Sequence, residues 1–163
     1  MPKVIYIMGV SGSGKTTVGQ ALAAATGIAF YDGDDFHPPA NVEKMQAGQA
    51  LNDQDRAGWL AAIHQFALKQ IERDRSAIIA CSALKQRYRQ QLSEGMEQTV
   101  RWVWLDGSYG LIRERMEKRA GHFMPPALLQ SQFDTLEPPE NALKIDIRQP
   151  LSEIIDYLER QLG

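Results

Sequence analysis

Gly9-Val10-Ser11-Gly12-Ser13-Gly14-Lys15-Thr16 satisfies the pattern G-x-x-x-x-G-K-[ST] at every fixed position. The apolar run Val4-Ile5-Tyr6-Ile7-Met8 enters it, and an Ala/Leu-rich stretch of helical character leaves it. Strand, tight loop and helix in that order give the pattern a mechanism. Glycines at 9, 12 and 14 let successive backbone N–H groups turn inward around an anion. The following helix adds the positive end of its dipole; Lys15 would reach β- and γ-phosphates and the Thr16 hydroxyl would ligate Mg²⁺. The cradle formed by Gly9, Val10, Ser11, Gly12, Ser13, Gly14, Lys15 and Thr16 therefore predicts binding of a nucleoside triphosphate.

Outward from this loop, β-rich runs alternate with helical patterns, which predicts βαβ units and a parallel sheet. The runs are 4–8, 28–31, 77–81, 100–105 and 143–147, and strand 2 is expected near strand 1. Helices are expected over 15–26, from Pro38-Pro39 to Gly48, over 53–74, 85–94 and 109–120, and in a last amphipathic stripe carrying Leu151, Ile154, Ile155, Leu158 and Leu162. The fold class is α/β: three layers, with a five-stranded parallel sheet flanked by helices. Two polar insertions interrupt the alternation, one after strand 2 and one at 121–141 with Pro125-Pro126 and Pro138-Pro139. Insertions of this kind carry function more often than they idle.

Bulk composition narrows the class. The chain has 163 residues, 44% hydrophobic and 23% charged, enough for one domain with a single core. A formal charge of −2 offers no general basic field, so nucleic acid is not an expected partner. The single cysteine, Cys81, makes no internal disulfide, and it reads as a small buried apolar residue in a reducing compartment. No apolar stretch approaches membrane-spanning length, and 4–8 is too short for a signal-peptide core. The expectation is a cytoplasmic protein that does not engage a membrane.

Several polar clusters could carry chemistry. Asp32-Gly33-Asp34-Asp35-Phe36-His37 follows strand 2, at the carboxyl end of the sheet where ligands bind. Asp34 is the candidate base for an attacking hydroxyl, and Asp32 the candidate to hold Mg²⁺ through water. A solvated acidic turn bent at Gly33 is the alternative. His37, Asn41 and Lys44 at i, i+4 and i+7 would share one helix face, either as donors to a polyhydroxylated or anionic substrate or as an ordinary exposed face. Arg56 could clamp a substrate carboxylate. Strand 3 ends in Cys81-Ser82-Ala83-Leu84-Lys85 with no acidic metal ligand, which shifts that duty to the acids after strand 2; Ser82 and Lys85 could face the substrate. Arg115 and Arg119, at i, i+4, would repel each other unless a phosphate lay between them. Delivered by a closing lid, they would stabilise charge on the transferring phosphoryl group.

Taken together, these pieces resemble the small P-loop type of bacterial gluconate kinase. The resemblance spans nearly the whole chain. It runs through residues 9–16, Asp32-Gly33-Asp34 with His37, Asn41, Glu43-Lys44-Met45 and Leu51-Asn52-Asp53. It continues through Trp59-Leu60, Cys81-Ser82-Ala83-Leu84-Lys85 with Tyr88-Arg89, Gly121-His122-Phe123-Met124 and Ser131-Gln132-Phe133. The resemblance implies ATP-dependent, Mg²⁺-dependent phosphorylation of D-gluconate at its 6-hydroxyl and a homodimer. It also implies one P-loop kinase domain over 1–163, with a substrate-binding insertion at about 34–58 and a lid at about 119–136. The substrate set would be Asp34, His37, Asn41, Lys44, Arg56, Ser82, Lys85 and His122, with Lys15, Asp34, Arg115 and Arg119 catalytic. Shikimate kinase is the nearest alternative, but that family carries a glycine triplet where this chain has Cys81-Ser82-Ala83. A switch GTPase is disfavoured because no N-K-x-D sequence occurs. A noncatalytic nucleotide-binding module is a third reading, against which the intact Lys15, Thr16 and Asp34 argue.

Overall fold

Five parallel strands form one sheet in the computed structural model, which describes residues 1–118 and 126–163. In chain order the elements are β1 (Val4–Met8), α1 (Lys15–Thr26), β2 (Ala29–Asp32), α2 (Pro39–Gln46), α3 (Asp53–Glu72), β3 (Ala77–Ala80), α4 (Gln86–Ser93), β4 (Val100–Asp106), α5 (Tyr109–Glu117), α6 (Pro126–Thr135), β5 (Leu143–Asp146) and α7 (Leu151–Leu162). A short 3₁₀ turn, Gly33–Phe36, joins β2 to α2. The α/β class and the five expected strands are found, with ends displaced by about one residue, a shift within ordinary boundary scatter.

The central strand shows why the sheet is sandwiched. Along β1, Val4, Tyr6 and Met8 enter the core on one face, which α3 and α4 cover through Trp59, Leu60, Ile63, Tyr88 and Leu92. Ile5 and Ile7 enter the other, with Val18 and Leu22 of α1 and Ile154, Ile155 and Leu158 of α7. Successive side chains of a strand point to opposite faces, so a strand covered on both sides reads as an unbroken apolar run. That is why Val4-Ile5-Tyr6-Ile7-Met8 has no alternation. Among the described residues no helix is long and apolar enough to cross a membrane.

Strand order corrects one expectation. The sheet runs β2-β3-β1-β4-β5, so β3 separates strand 2 from strand 1. The acids after β2 nevertheless reach the loop after β1, because α1 packs across β3 and β2. Gly19 permits this approach: a Cβ there would lie 2.2 Å from the Phe30 ring of β2. Thr16, one turn earlier on α1, is thereby drawn toward Asp32 at the end of β2.

The second insertion is built differently from an irregular lid. Its later part is α6, which buries Leu129 in the core and Leu128 beside the cleft at the sheet's end. Helix α5 ends at Glu117, and the remainder of its expected span, residues 119 and 120, lies outside the described residues.

A phosphate cradle joined to an acceptor cleft

The loop between β1 and α1 has the backbone its glycines allow. Gly12 and Gly14 have φ of 79° and 100°, a region closed to most side chains, and Gly14 caps α1 without any side-chain hydrogen bond. No acidic residue occupies the first turn of α1. The helix therefore presents free N–H groups and its positive end to the loop's interior, an arrangement suited to an anion. Lys15 is folded back on this loop, its Nζ donating to the carbonyls of Gly9 at 2.9 Å and Val10 at 3.0 Å. Burial lowers the Lys15 pKa, and nearby Asp34 opposes that shift. A lysine whose partners among the described residues are two neutral carbonyls is ready to exchange them for phosphate oxygens.

Asp32 and Asp34 are set at different depths by the turn they share. Asp32 Oδ1 accepts a hydrogen bond from the Asp34 N–H at 2.9 Å and so caps the 3₁₀ turn. Its other oxygen, Oδ2, accepts from Thr16 Oγ1 at 3.4 Å. Gly33 between them fits against β3 where a Cβ would lie 2.2 Å from the Ala80 carbonyl. The turn is pinned from outside by Trp59 of α3, whose indole N–H donates to the Gly33 carbonyl at 2.8 Å. These constraints leave the Asp34 carboxylate standing open in the cleft. Protein atoms around it displace part of its hydration and raise its pKa, although the side chain stays largely exposed; Lys15 pulls the other way, and Asp32 and Asp35 reinforce the rise.

His37 is held as a neutral donor. Its ring stacks on Trp59, with centroids 4.1 Å apart and planes at 13°. Burial, aided by the charge of Arg56, pushes its pKa down to about 4. The Asn41 amide Nδ2 lies 3.2 Å from His37 Nδ1, so Nδ1 accepts and the proton belongs on Nε2. Nε2 faces Asp34 Oδ1 at 3.8 Å.

A cleft of about 180 Å³ gathers Lys15, Asp34, His37, Arg56 and Ser82, together with Trp59 and the α6 residues Ser131 and Gln132. Not every expected residue faces it. Asn41 also donates to the Asp55 carbonyl at 2.7 Å, and Lys44 Nζ donates to Asp55 Oδ2 at 2.6 Å. Asp55 in turn closes a reciprocal capping box with Asn52 at the start of α3. The α2 face read as a substrate surface thus ties α2 to the N-terminus of α3. Lys85 is likewise engaged, donating to Asp53 Oδ1 at 3.1 Å. Arg56 differs: its Nη1 donates to the Tyr88 hydroxyl at 3.1 Å, and among the described residues no carboxylate pairs with it.

A larger cavity of about 310 Å³ lies on the other side of the loop, between Gly12-Ser13-Gly14, Thr17 and the segment after β5. Arg115 lines this cavity, donating from Nη2 to the Ile147 carbonyl at 2.7 Å. It stands away from the acceptor cleft where the lid reading expected it, because the end of α5 packs beside the β5–α7 connection. Arg119 and His122 lie outside the described residues.

Two contributors were absent from the sequence-based site. Gln132 of α6 accepts the Ser11 N–H on its Oε1 at 2.7 Å, and its amide donates to Ser11 Oγ at 3.3 Å, fastening α6 to the phosphate loop. Trp59 reads in sequence as a core position of α3, yet it holds both the acidic turn and His37. Both sit within the short pieces Trp59-Leu60 and Ser131-Gln132-Phe133 singled out above, the only sequence signal that marks them. Cys81 is buried, and its thiol is pushed up to about 12 by that burial.

The chain is similar to known proteins over most of its length. A family model described as an AAA domain matches residues 4–139. The gluconokinase of Gluconobacter oxydans strain 621H is 49% identical over 138 residues, covering 85% of this chain and 77% of that one. A gluconokinase structure from Sinorhizobium meliloti 1021 superposes with a TM-score of 0.87 at 43% identity, covering 99% of this chain and 95% of that one. An unliganded sugar kinase from Janibacter sp. HTCC2649 gives a TM-score of 0.94 at 42% identity over the same shares of the two chains.

Proposed function

This chain belongs to the gluconokinase family, within the AAA-domain group matched over residues 4–139, and from that premise we propose that it transfers the γ-phosphoryl group of ATP to the 6-hydroxyl of D-gluconate. The observation that carries the reading is one cleft that brings together a phosphate-loop lysine, the Asp34 carboxylate and an arginine with no carboxylate partner among the described residues. Gluconate is a linear polyhydroxylated anion. The cleft supplies an arginine for its carboxylate, neutral donors and acceptors in His37, Ser82 and Ser131 for its hydroxyls, and Asp34 for the proton of the terminal one.

In the reaction, the terminal hydroxyl oxygen bonds to the γ-phosphorus while the bond to the β–γ bridging oxygen breaks. The hydroxyl proton passes to Asp34, and ADP and 6-phosphogluconate result. Positioning and charge stabilisation supply most of the acceleration in such transfers. Lys15 exchanges its loop carbonyls for phosphate oxygens, and the α1 N-terminus holds the chain of phosphates. The 310 Å³ cavity takes the nucleoside end of ATP, walled by Arg115. In this reading, contact with the transferring group falls to Lys15 and to Arg119 of the lid at about 119–136, and His122 belongs to the substrate set. The lid excludes water as a competing acceptor.

Mg²⁺ fits the oxygen donors present. A hydroxyl at Thr16 and a carboxylate at Asp32 suit a hard cation that keeps several waters, and among the described residues no cluster of three or more His, Cys, Asp or Glu offers an all-protein cage. When bound, the ion neutralises charge on the β- and γ-phosphates. The lone buried cysteine supports a cytoplasmic setting. The resemblance supports a homodimer.

A panel of acceptors assayed for ADP release with ATP tests the substrate. Gluconate should turn over and shikimate should not; turnover of shikimate but not gluconate overturns the reading. Cys81-Ser82-Ala83 favours gluconate, because the shikimate kinase pattern carries a glycine triplet at this place.

A further inference from the structure

Arg56 reaches the acceptor cleft on a long, flexible side chain with no acidic partner among the described residues, so something else must fix its aim. The Tyr88 hydroxyl does so. Tyr88 is buried on α4, and its phenol is flanked by two groups of opposite demand. Its single proton goes to Asp53 Oδ1, and its oxygen is left to accept from Arg56 Nη1 at 3.1 Å. Asp53 is also bound by Lys85 at 3.1 Å and by Arg87, two donors that orient it as an acceptor. The chain is therefore directional, Arg56 to Tyr88 to Asp53, and each bond polarises the next.

We propose that Tyr88, oriented by Asp53, is a positioning residue that aims Arg56 at the carboxylate of the acceptor and so sets the preference for sugar acids. The inference rests on the reading of the cleft as a gluconate site. Asp53 and Arg56 are three residues apart on α3, whereas Tyr88 comes from α4 across the cleft wall. A phenol that only filled space would not need its hydroxyl. Here the hydroxyl is the hydrogen-bond partner of the cleft arginine, which also lies over the same ring at 5.5 Å from its centroid. The arginine is thus held by one bond and one cation–π contact, while donors on its other nitrogens stay available for a carboxylate.

Tyr88→Phe keeps the buried ring and removes only the hydroxyl. The variant should raise KM for gluconate by about tenfold, the loss expected when a hydrogen bond to a charged group is removed, with kcat within about twofold. KM for ATP and the melting temperature should hold. In an Arg56→Ala background, itself impaired for gluconate, the same change should add nothing further. An unchanged gluconate KM, a joint shift of kcat and ATP KM, or an undiminished effect in the Arg56→Ala background overturns the proposal. If wild-type protein fails to turn over gluconate, the functional reading falls and this inference falls with it. If wild type turns it over and Arg56→Ala raises KM while Tyr88→Phe does not, the inference alone falls.

Discussion

The phosphate loop and the acceptor cleft meet at Lys15 but are made in opposite ways. The loop is backbone: eight consecutive residues whose glycines set φ, whose N–H groups face inward, and whose helix supplies the dipole. The cleft is side chains, taken from α1, the turn after β2, α3, the end of β3 and α6, and aimed by partners of which Trp59 lines it while Asp55 and Tyr88 stand behind it. Trp59 places Gly33 and His37, Asp55 occupies Lys44 and Asn41, and Tyr88 holds Arg56. A site of the first kind depends on a short stretch of chain. One of the second kind depends on the whole fold, so its residues should separate sharply into those that touch substrate and those that only tie elements together.

Replacing Lys15 by Ala strikes where the two regions meet and should have the largest effect. Loss of its charge at the γ-phosphate should lower kcat by about a thousandfold or more with the fold intact. Near-normal turnover would separate the loop from the chemistry.

Asp34→Asn attacks the cleft side alone. Steady-state kinetics should show kcat down by a factor on the order of several hundred, with nucleotide affinity largely kept. The pH profile adds a sign. A base must be ionised, and the Asp34 pKa is raised, chiefly by partial loss of hydration beside the cleft wall. Wild-type kcat should therefore fall as pH drops through a value above the ordinary carboxylate range near about 4. The Asn variant should lose that acid limb, and retention of the limb would remove Asp34 as base.

Lys44→Met probes the tie rather than the cleft and should give the smallest change. Its ammonium is already engaged by Asp55, so KM for gluconate should stay within about twofold. Thermal unfolding should show Tm lower by about 2–4 °C as the joint between α2 and α3 loosens. A large rise in KM with Tm unchanged would return Lys44 to the substrate surface.

Legibility followed the same division. The strand–loop–helix, the five strands and most helix ends could be read because periodicity, glycine stops and caps act locally. The order of strands could not be read from such signals, since β3 inserts between β2 and β1 through crossover connections rather than through any local sequence feature. Helix α6 was hidden by its prolines and by its place in a stretch that looked like loop. Asp34, His37, Arg56 and Ser82 could be named from residue type and position, and all line the cleft. Lys44, Asn41 and Lys85 look identical in sequence to ligands. Only the folded chain reveals that Asp55 and Asp53 already occupy them. Gln132 reaches Ser11 from 121 residues away, a distance over which no spacing rule operates.

Phosphorus NMR of the product formed from ATP and D-gluconate tests the central claim most directly. The cleft aims one γ-phosphate at the terminal hydroxyl, so the account predicts one equivalent of ADP and one phosphate monoester whose phosphorus couples to the two C6 protons. ADP with only free phosphate, or an ester at another carbon, would contradict it.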